Sequence, residues 1–345
     1  MEMTAALDPP AIPTAVERTF TCADGLELAA QCYSYHPSTT TATTDKDNSA
    51  SCFRILMLHG WLDNCRSFWT LAPSLFAKLR STSSDDDNVM VELVVLDLPG
   101  HGRSQHKSRD GPTVLLAEGC YYVADVLMQL EWTTKSITLV GHSMGAAIAL
   151  LYASAFPEQI QHLVLLESWG PMTKPATAVP TTIRRHVEKR LQQSKGSNNS
   201  KRTYPSMEAA VAARLHTVKL FPGNQTLSHK AAYELVLRSI EDDNSNDTIA
   251  FGHDKRLQWP SLLFLTDDQM QSVYESLQSN RVLVVLGETG YPMDPTRVAR
   301  VRETLQPTQV ITLPGSHHLH ADPDTAPAVV NVVYDFITTT PNANE

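Results

Sequence analysis

Cysteine is scarce in this chain, and its placement argues against two common uses of the residue. The 345 residues contain five cysteines, odd in number and widely spaced: Cys22, Cys32, Cys52, Cys65 and Cys120. No CxxC pair occurs, so neither a disulfide framework nor a zinc site with the usual ligand spacing is expected. We interpret the five as reduced thiols of a cytosolic protein.

Long apolar stretches are also missing. The longest lies around Ala146–Phe156, well short of the roughly 20 residues that a membrane-spanning helix requires. The N-terminus carries acidic Glu2 and Asp8 in place of the basic and apolar regions of a secretory signal. We therefore expect a soluble protein, cytoplasmic by default, without stable membrane insertion.

Positive charge is in deficit, with 28 Lys and Arg against 37 Asp and Glu and a net charge of -9. A mildly acidic surface argues against a nucleic-acid partner. Hydrophobic residues make up 42% of the chain, enough to bury a sizeable core. We expect no cofactor and no metal, and the sequence does not indicate an oligomeric state.

Apolar, β-branched runs predict eight strands, and several of the stretches between them have helical periodicity. The predicted strands are Val16–Cys22, Leu26–Tyr35, Arg54–Leu58, Val89–Leu98, Ser136–Val140, His162–Leu166, Arg281–Leu286 and Gln309–Leu313. From residue 54 to 167 strands alternate with helices, which predicts right-handed crossovers and a mainly parallel sheet.

The alternation stops between residues 170 and 280. Helical segments are predicted there at Thr181–Gln193, Met207–Lys219 and His229–Ile240, without an apolar β run of comparable strength. We therefore predict a helical insert at 170–280 within a core formed by residues 1–169 and 281–345. Three polar stretches, Ser38–Ser51, Ser81–Asn88 and Lys195–Lys201, are interpreted as loops.

The strongest functional signal is Gly141-His142-Ser143-Met144-Gly145. It follows a predicted strand and opens a predicted helix, which is the context of a nucleophile elbow. So tight a turn leaves no room for side chains at 141 and 145, while Ser143 is presented at a helix N-terminus that favours developing negative charge. Ser143 is therefore the predicted nucleophile.

A second segment, His59-Gly60-Trp61, ends the predicted strand Arg54–Leu58. In folds with a nucleophile elbow, the loop at this place supplies one backbone N–H to the oxyanion hole, and the residue after the nucleophile supplies the other. These donors are predicted to be the N–H groups of Trp61 and Met144. His59 is interpreted as a structural histidine that fixes the loop.

The general base is sought after the last strand, where Gly315-Ser316-His317-His318-Leu319-His320 offers three histidines. No carboxylate or cysteine cluster accompanies them at zinc spacing, so one of them as catalytic base is the preferred interpretation.

Together with Leu58-His59-Gly60-Trp61-Leu62-Asp63-Asn64 and Leu96-Asp97-Leu98-Pro99-Gly100-His101-Gly102, these segments resemble the α/β-hydrolase superfamily. Within it, the HGWLDN segment and His253-Asp254-Lys255-Arg256-Leu257 are similar to the serine hydrolase-like proteins. The resemblance implies an eight-stranded α/β-hydrolase sheet with a helical lid after the sixth strand. It places the base at His317 and suggests that Asp254 and Arg256 form an ion pair that holds the lid.

The acid of the triad is not defined by the resemblance. The family commonly carries it in a G-x-x-D arrangement, but Gly287-Glu288-Thr289-Gly290 has a glycine at that place. Glu167, which follows a strand near the nucleophile, is the first candidate, with Glu288 and Asp294 as alternatives. The acid only orients and stabilises the imidazolium, so it can come from another loop.

The implied activity is hydrolysis of a small carboxylic ester or related acyl compound through an acyl-enzyme. A C–C bond hydrolase, a thioesterase or an amidase would keep Ser143 and remains an alternative. The glycine at position 290 leaves a further alternative, a catalytically weak protein that binds a ligand or partner in the same pocket.

Overall fold

The computed structural model describes residues 13–36, 52–81, 89–108, 115–134, 136–194, 202–243 and 248–339. The polar segments 38–51 and 195–201, and all of Ser81–Asn88 beyond its first residue, lie outside this part of the chain. No disulfide joins any of the five cysteines, which all lie within it.

The first half of the chain contains β1 (Val16–Thr21), β2 (Glu27–Tyr35), β3 (Cys52–Leu58), α1 (Leu71–Ser81), β4 (Met90–Leu96), α2 (Gly119–Gln129), β5 (Ile137–His142), α3 (Met144–Ala155) and β6 (Ile160–Leu166). From β3 to β6 strands alternate with helices, as predicted for residues 54 to 167, and β1 and β2 precede them. The turn between β1 and β2 contains Gly25 at φ 83°, a left-handed conformation that glycine adopts readily.

The segment after β6 is not helical throughout, and in this respect the prediction was incomplete. It contains α4 (Val179–Ser194), β7 (Thr203–Tyr204), α5 (Met207–Lys219), α6 (His229–Ser239), β8 (Ile240–Asp243), β9 (Thr248–Phe251) and α7 (Asp267–Glu275). The three short strands form an antiparallel sheet in the order β7-β9-β8. Strands of two to four residues are too short for an alternating pattern to be recognised. We call residues 170–280 the insert.

The chain closes with β10 (Arg281–Thr289), α8 (Pro295–Leu305), β11 (Gln309–Ser316) and α9 (Ala326–Thr338). The main sheet has eight strands in the order β1-β2-β4-β3-β5-β6-β10-β11. The pairs β1–β2 and β2–β4 are antiparallel, and the other pairs are parallel. The predicted mainly parallel eight-stranded sheet is thus confirmed.

Each central strand is buried on both faces, which explains its continuous apolar sequence. In β3, Leu56 and Leu58 belong to the core cluster that includes α2 and α3, whereas Ile55 and Met57 belong to the cluster that includes α1 and α9. Because β3, β5, β6, β10 and β11 run parallel, their carboxyl ends meet at one edge, where sites in such sheets form.

The insert has its own small core, and the buried side chain of Arg238 connects it to the main sheet. Its apolar cluster includes Val211 of α5 and Leu235 of α6. From α6, Arg238 Nε donates to Asp97 Oδ2 at 2.8 Å, and Arg238 Nη1 donates to Glu17 Oε1 at 2.8 Å. In the part of the chain that the structure describes, no helix is long and apolar enough to cross a membrane.

Candidate active site

Ser143 occupies a strained turn between β5 and α3. Its backbone lies at φ 50° and ψ -110°, a conformation that costs a non-glycine residue about 1 to 3 kcal/mol. A Cβ at Gly145 would lie 2.1 Å from Leu58 O, and one at Gly141 would lie 2.4 Å from the Ala146 backbone. Only glycine fits these two positions, so the close packing of α3 against β3 and β5 requires the motif that the sequence shows.

His317 lies directly after β11, against the residue that precedes Ser143. Its ring centroid is 4.7 Å from that of His142, and its carbonyl is 2.8 Å from His142 Nε2. Its backbone N–H donates to Gln225 Oε1 of the insert at 2.8 Å. Within the described residues, the Ser143 hydroxyl and His317 Nε2 form no hydrogen bond, although such contacts often tighten only when substrate binds.

Glu167 contacts His317, and the two alternative acids do not. The Nδ1 atom of His317 is 3.0 Å from Glu167 Oε2. The same carboxylate, whose side chain is 1% exposed, accepts from the backbone N–H groups of Gly287 and Tyr291. Glu288 is exposed. Asp294 caps α8, where it accepts from Thr296 N at 2.9 Å.

The glycine at position 290 leaves the space that the Glu167 carboxylate occupies. A Cβ at Gly290 would lie 2.4 Å from both carboxylate oxygens of Glu167. A side chain at 290 and the observed Glu167 conformation therefore exclude each other, which explains why this chain has no acid at the G-x-x-D place.

The loop after β3 is held by His59. This buried imidazole accepts from Leu98 N at Nε2 (2.9 Å), and its Nδ1 is 2.8 Å from Gly60 O. Burial lowers the pKa of His59 to about 4, so the ring is neutral at pH 7. These contacts support a structural role. Among the described residues, the backbone N–H groups of Trp61 and Met144 have no acceptor.

A buried ionic cluster lies behind this loop. The Asp63 carboxylate pairs with Arg214 of α5 and lies 3.3 Å from His318 Nε2 and 3.8 Å from His142 Nδ1. Burial alone would raise the pKa of Asp63, but the Arg214 guanidinium and the His318 imidazole hold it well below its usual range. The carboxylate thus links the insert to the residue before Ser143.

His320 completes the packing behind the site. Its ring centroid is 4.1 Å from that of His142 and 5.1 Å from that of Phe68. Burial lowers the pKa of His320 to about 3, and neither ring nitrogen has a partner among the described residues. The same part of the chain contains no group of three or more side chains arranged to hold a metal ion.

The insert contacts the carboxyl edge of the sheet at several further places. Trp61 Nε1 donates to Leu257 O at 2.9 Å. The Asp254–Arg256 ion pair, with a shortest distance of 2.7 Å, forms as the resemblance implies, and Arg256 also donates to the Ser108 carbonyl at 2.7 Å. A cavity of about 400 Å³ lies beside Glu167, between Gly223 of the insert and residues 286–293 at the end of β10.

Two contacts of the site could not be identified from the sequence. Arg214 and Gln225 lie far along the chain from Asp63 and His317, and neither stands in a recognisable motif. Their partners do stand in motifs, Asp63 in the HGWLDN segment and His317 in the segment of three histidines.

Ser143 lies in a strained turn between β5 and α3, and the ring of His317, which packs against that of the adjacent His142, contacts a buried carboxylate. A serine in a strand-to-helix turn of this kind is typical of the α/β-hydrolase fold. Residues 54–322 match the family model described as alpha/beta hydrolase fold, and the chain belongs to this family.

Comparison with individual proteins places the chain near the serine hydrolase-like proteins. It is 27% identical to the serine hydrolase-like protein of Danio rerio, over 82% of this chain and 81% of that protein. It is 26% identical to a probable serine hydrolase of Drosophila melanogaster, over 77% and 76% of the two chains. The crystal structure of hypothetical protein PA1622 from Pseudomonas aeruginosa PAO1 is 31% identical, with a TM-score of 0.75 over 94% of this chain and 100% of that one.

Proposed function

We propose that this protein is a serine hydrolase that cleaves a small carboxylic ester or related acyl compound, with Ser143, His317 and Glu167 as its triad. The observation that carries the proposal is the 3.0 Å contact between His317 Nδ1 and Glu167 Oε2, made by a ring that packs against the neighbour of Ser143. The arrangement needs no metal or organic cofactor.

The mechanism follows from this contact. Glu167 keeps the proton of the neutral imidazole on Nδ1, which leaves Nε2 to accept the Ser143 proton. The Ser143 oxygen attacks the carbonyl carbon, and the N–H groups of Trp61 and Met144 stabilise the oxyanion, each worth about 3 kcal/mol in the transition state. His317 then protonates the leaving alcohol, and water hydrolyses the acyl-enzyme.

We further propose that the insert, residues 170–280, is a lid over a core formed by residues 1–169 and 281–345. Its contacts with Trp61, Asp63 and His317 are made with loops after β3 and β11, at the edge where the nucleophile lies. A lid there would exclude water and shape the substrate pocket.

Thioesters, amides and C–C bonds require the same nucleophile and base, so they are alternative substrates of this triad. Binding without catalysis is the alternative from another class. The contact between Glu167 and His317 supports catalysis over binding, because an acid is present despite the glycine at position 290.

The decisive test is Ser143→Ala. We expect it to abolish labelling by a fluorophosphonate and to lower kcat on a p-nitrophenyl ester by about 10⁴-fold or more. Ser154→Ala, on the same helix α3, is the matched control and should keep both activities. Labelling of the Ser143→Ala protein at the wild-type level would contradict the assignment, and a panel of ester chain lengths would define the substrate class.

A further inference from the structure

Helix α4 of the insert lies almost entirely in solvent. Of residues 179–192, only Thr182 and His186 are buried. They stand one turn apart and face the 259–264 segment, where His186 Nδ1 is 2.9 Å from Pro260 O and its ring packs against Trp259. The helix therefore packs against the protein only through the side of Thr182 and His186, and most of its surface is exposed to solvent.

The open surface carries an apolar stripe. Val179, Ile183, Val187 and Leu191 are 37%, 39%, 44% and 54% exposed. Their four-residue spacing places them on successive turns, along about 18 Å of the helix. Leu263, which is 55% exposed, extends the apolar surface beside Val179. Contiguous exposed apolar surface of this kind marks a place where a protein contacts a partner or a membrane.

The charge beside the stripe indicates which partner fits. Arg184, Arg185, Lys189 and Arg190 accompany a single carboxylate, Glu188, on this helix, although the whole chain has a net charge of -9. From the helical period, Arg184 and Arg190 flank the stripe on opposite sides. An apolar stripe between cations is typical of helices that lie in the interface of an anionic bilayer.

We propose that α4 docks this protein reversibly on an anionic lipid surface, with the stripe in the interface and the cations against the headgroups. The remainder of the chain has a net negative charge, so the same surface would repel it on average, which favours docking through this helix. A second copy of the chain fits less well, because a two-fold contact would bring the cations of two helices together. The proposal does not depend on the proposed hydrolase activity.

Sedimentation of the full chain with lipid vesicles tests the proposal. We expect binding to phosphatidylcholine vesicles that contain about 30 mol% phosphatidylserine, weak binding to phosphatidylcholine alone, and a loss of binding as salt is raised. The paired change Ile183→Asp with Val187→Asp, and the charge reversal Arg184→Glu beside the stripe, should each lower the partition coefficient by about tenfold or more.

Two matched controls separate this surface from general effects of charge and polarity. Met128→Asp changes an apolar side chain that is 58% exposed on α2, and Lys219→Glu changes an exposed cation at the end of α5. Both proteins should bind as wild type does. Circular dichroism checks that each variant is folded, and Ile183→Gln with Val187→Gln supplies a milder change to the stripe if the aspartates unfold it.

Equal binding to both kinds of vesicle, or no binding by the wild type, would overturn the proposal. So would unchanged binding by the stripe variants, or a loss of binding in the controls as large as theirs. A concentration-dependent dimer that Ile183→Asp dissociates would assign the stripe to a second copy instead. Ser143→Ala, which lies outside α4, should bind the vesicles as wild type does, which keeps this test separate from that of the triad.

Discussion

Glu167 has two features that each raise the free energy of the folded protein. Its backbone lies at φ 55°, which costs a non-glycine residue about 1 to 3 kcal/mol, and its carboxylate is buried. The N–H groups of Gly287 and Tyr291 and the imidazole of His317 surround the carboxylate and offset its desolvation. Strain retained at a site usually indicates a functional constraint there.

The Glu167 carboxylate occupies the space that a side chain at position 290 would need. Glu167→Gln should lower kcat by about 10³- to 10⁴-fold, because an amide no longer favours the tautomer with the proton on Nδ1. Gly290→Asp alone should also impair the protein, because its Cβ would lie 2.4 Å from the Glu167 oxygens. Glu167→Gly with Gly290→Asp removes the clash and supplies an acid from the segment after β10.

We expect the double variant to be more active than either Glu167→Gly or Gly290→Asp, as measured by kcat on a p-nitrophenyl ester and by Tm. Glycine at 167 suits the left-handed backbone, so the change itself adds little strain. A double variant whose kcat does not exceed that of Glu167→Gly would contradict the idea that an acid at position 290 can replace Glu167 in the same space.

At the scale of elements, the sequence predicts the sheet well because each strand has a strong local signal. Buried strands such as β3 and β6 are continuous apolar runs, and the glycines around Ser143 are required by close backbone contacts. Strand β8 reads Ile-Glu-Asp-Asp, whose charged residues and short length give no β signal.

The sequence alone does not show which of Glu167, Glu288 and Asp294 contacts His317, because this depends on the order of the strands. Glu167 reaches His317 because β6 pairs with β10, as in the bond from Glu167 N to Val285 O at 2.8 Å. Which loop ends meet depends on strand order, and local sequence patterns do not report this order. The glycine at 290 is the one local clue, but its meaning requires the position of the Glu167 carboxylate.

The second prediction concerns the connection between α5 and the loop after β3. Arg214→Gln leaves the Asp63 carboxylate buried without its cation, which should disturb the loop that carries Trp61 and lower kcat by about tenfold or more. Arg214→Lys keeps the charge and should recover part of the activity. Steady-state kinetics should show a larger effect on kcat than on KM, since Arg214 acts through Asp63.

Arg66→Gln is the matched control for Arg214→Gln. Arg66 also pairs with a carboxylate of the insert, Glu234 of α6, but within the described residues it forms no hydrogen bond or ion pair with Asp63. It should lower the stability of the protein without a comparable effect on kcat. Equal loss of kcat in Arg66→Gln and Arg214→Gln would show that the Arg214 pair only holds the insert in place.

Considered as a whole, the molecule places several neutral histidines in its interior. Burial lowers the pKa of His59 to about 4 and that of His101 and His320 to about 3. In the unfolded chain these groups titrate near the ordinary value of about 6.5. Between these limits the unfolded state binds more protons than the native state, so the free energy of unfolding decreases as the pH falls.

The last prediction follows from this difference. From about pH 6.5 down to the folded-state values, each of these histidines should lower the free energy of unfolding by up to about 1.4 kcal/mol per pH unit. Because neither ring nitrogen of His320 is hydrogen-bonded within the described residues, His320→Leu should cost little near pH 7.5.

The test is urea unfolding of wild type and His320→Leu at about pH 7.5 and about pH 5.5, where the variant should lose less stability on acidification by about 1 kcal/mol. His216→Leu, at an exposed position on α5, is the control and should leave the difference between the two pH values unchanged. An equal loss of stability in wild type and His320→Leu would mean that His320 takes up its proton in the folded protein. Its burial against His142 and Phe68 opposes this, because the charged ring would have to give up its hydration.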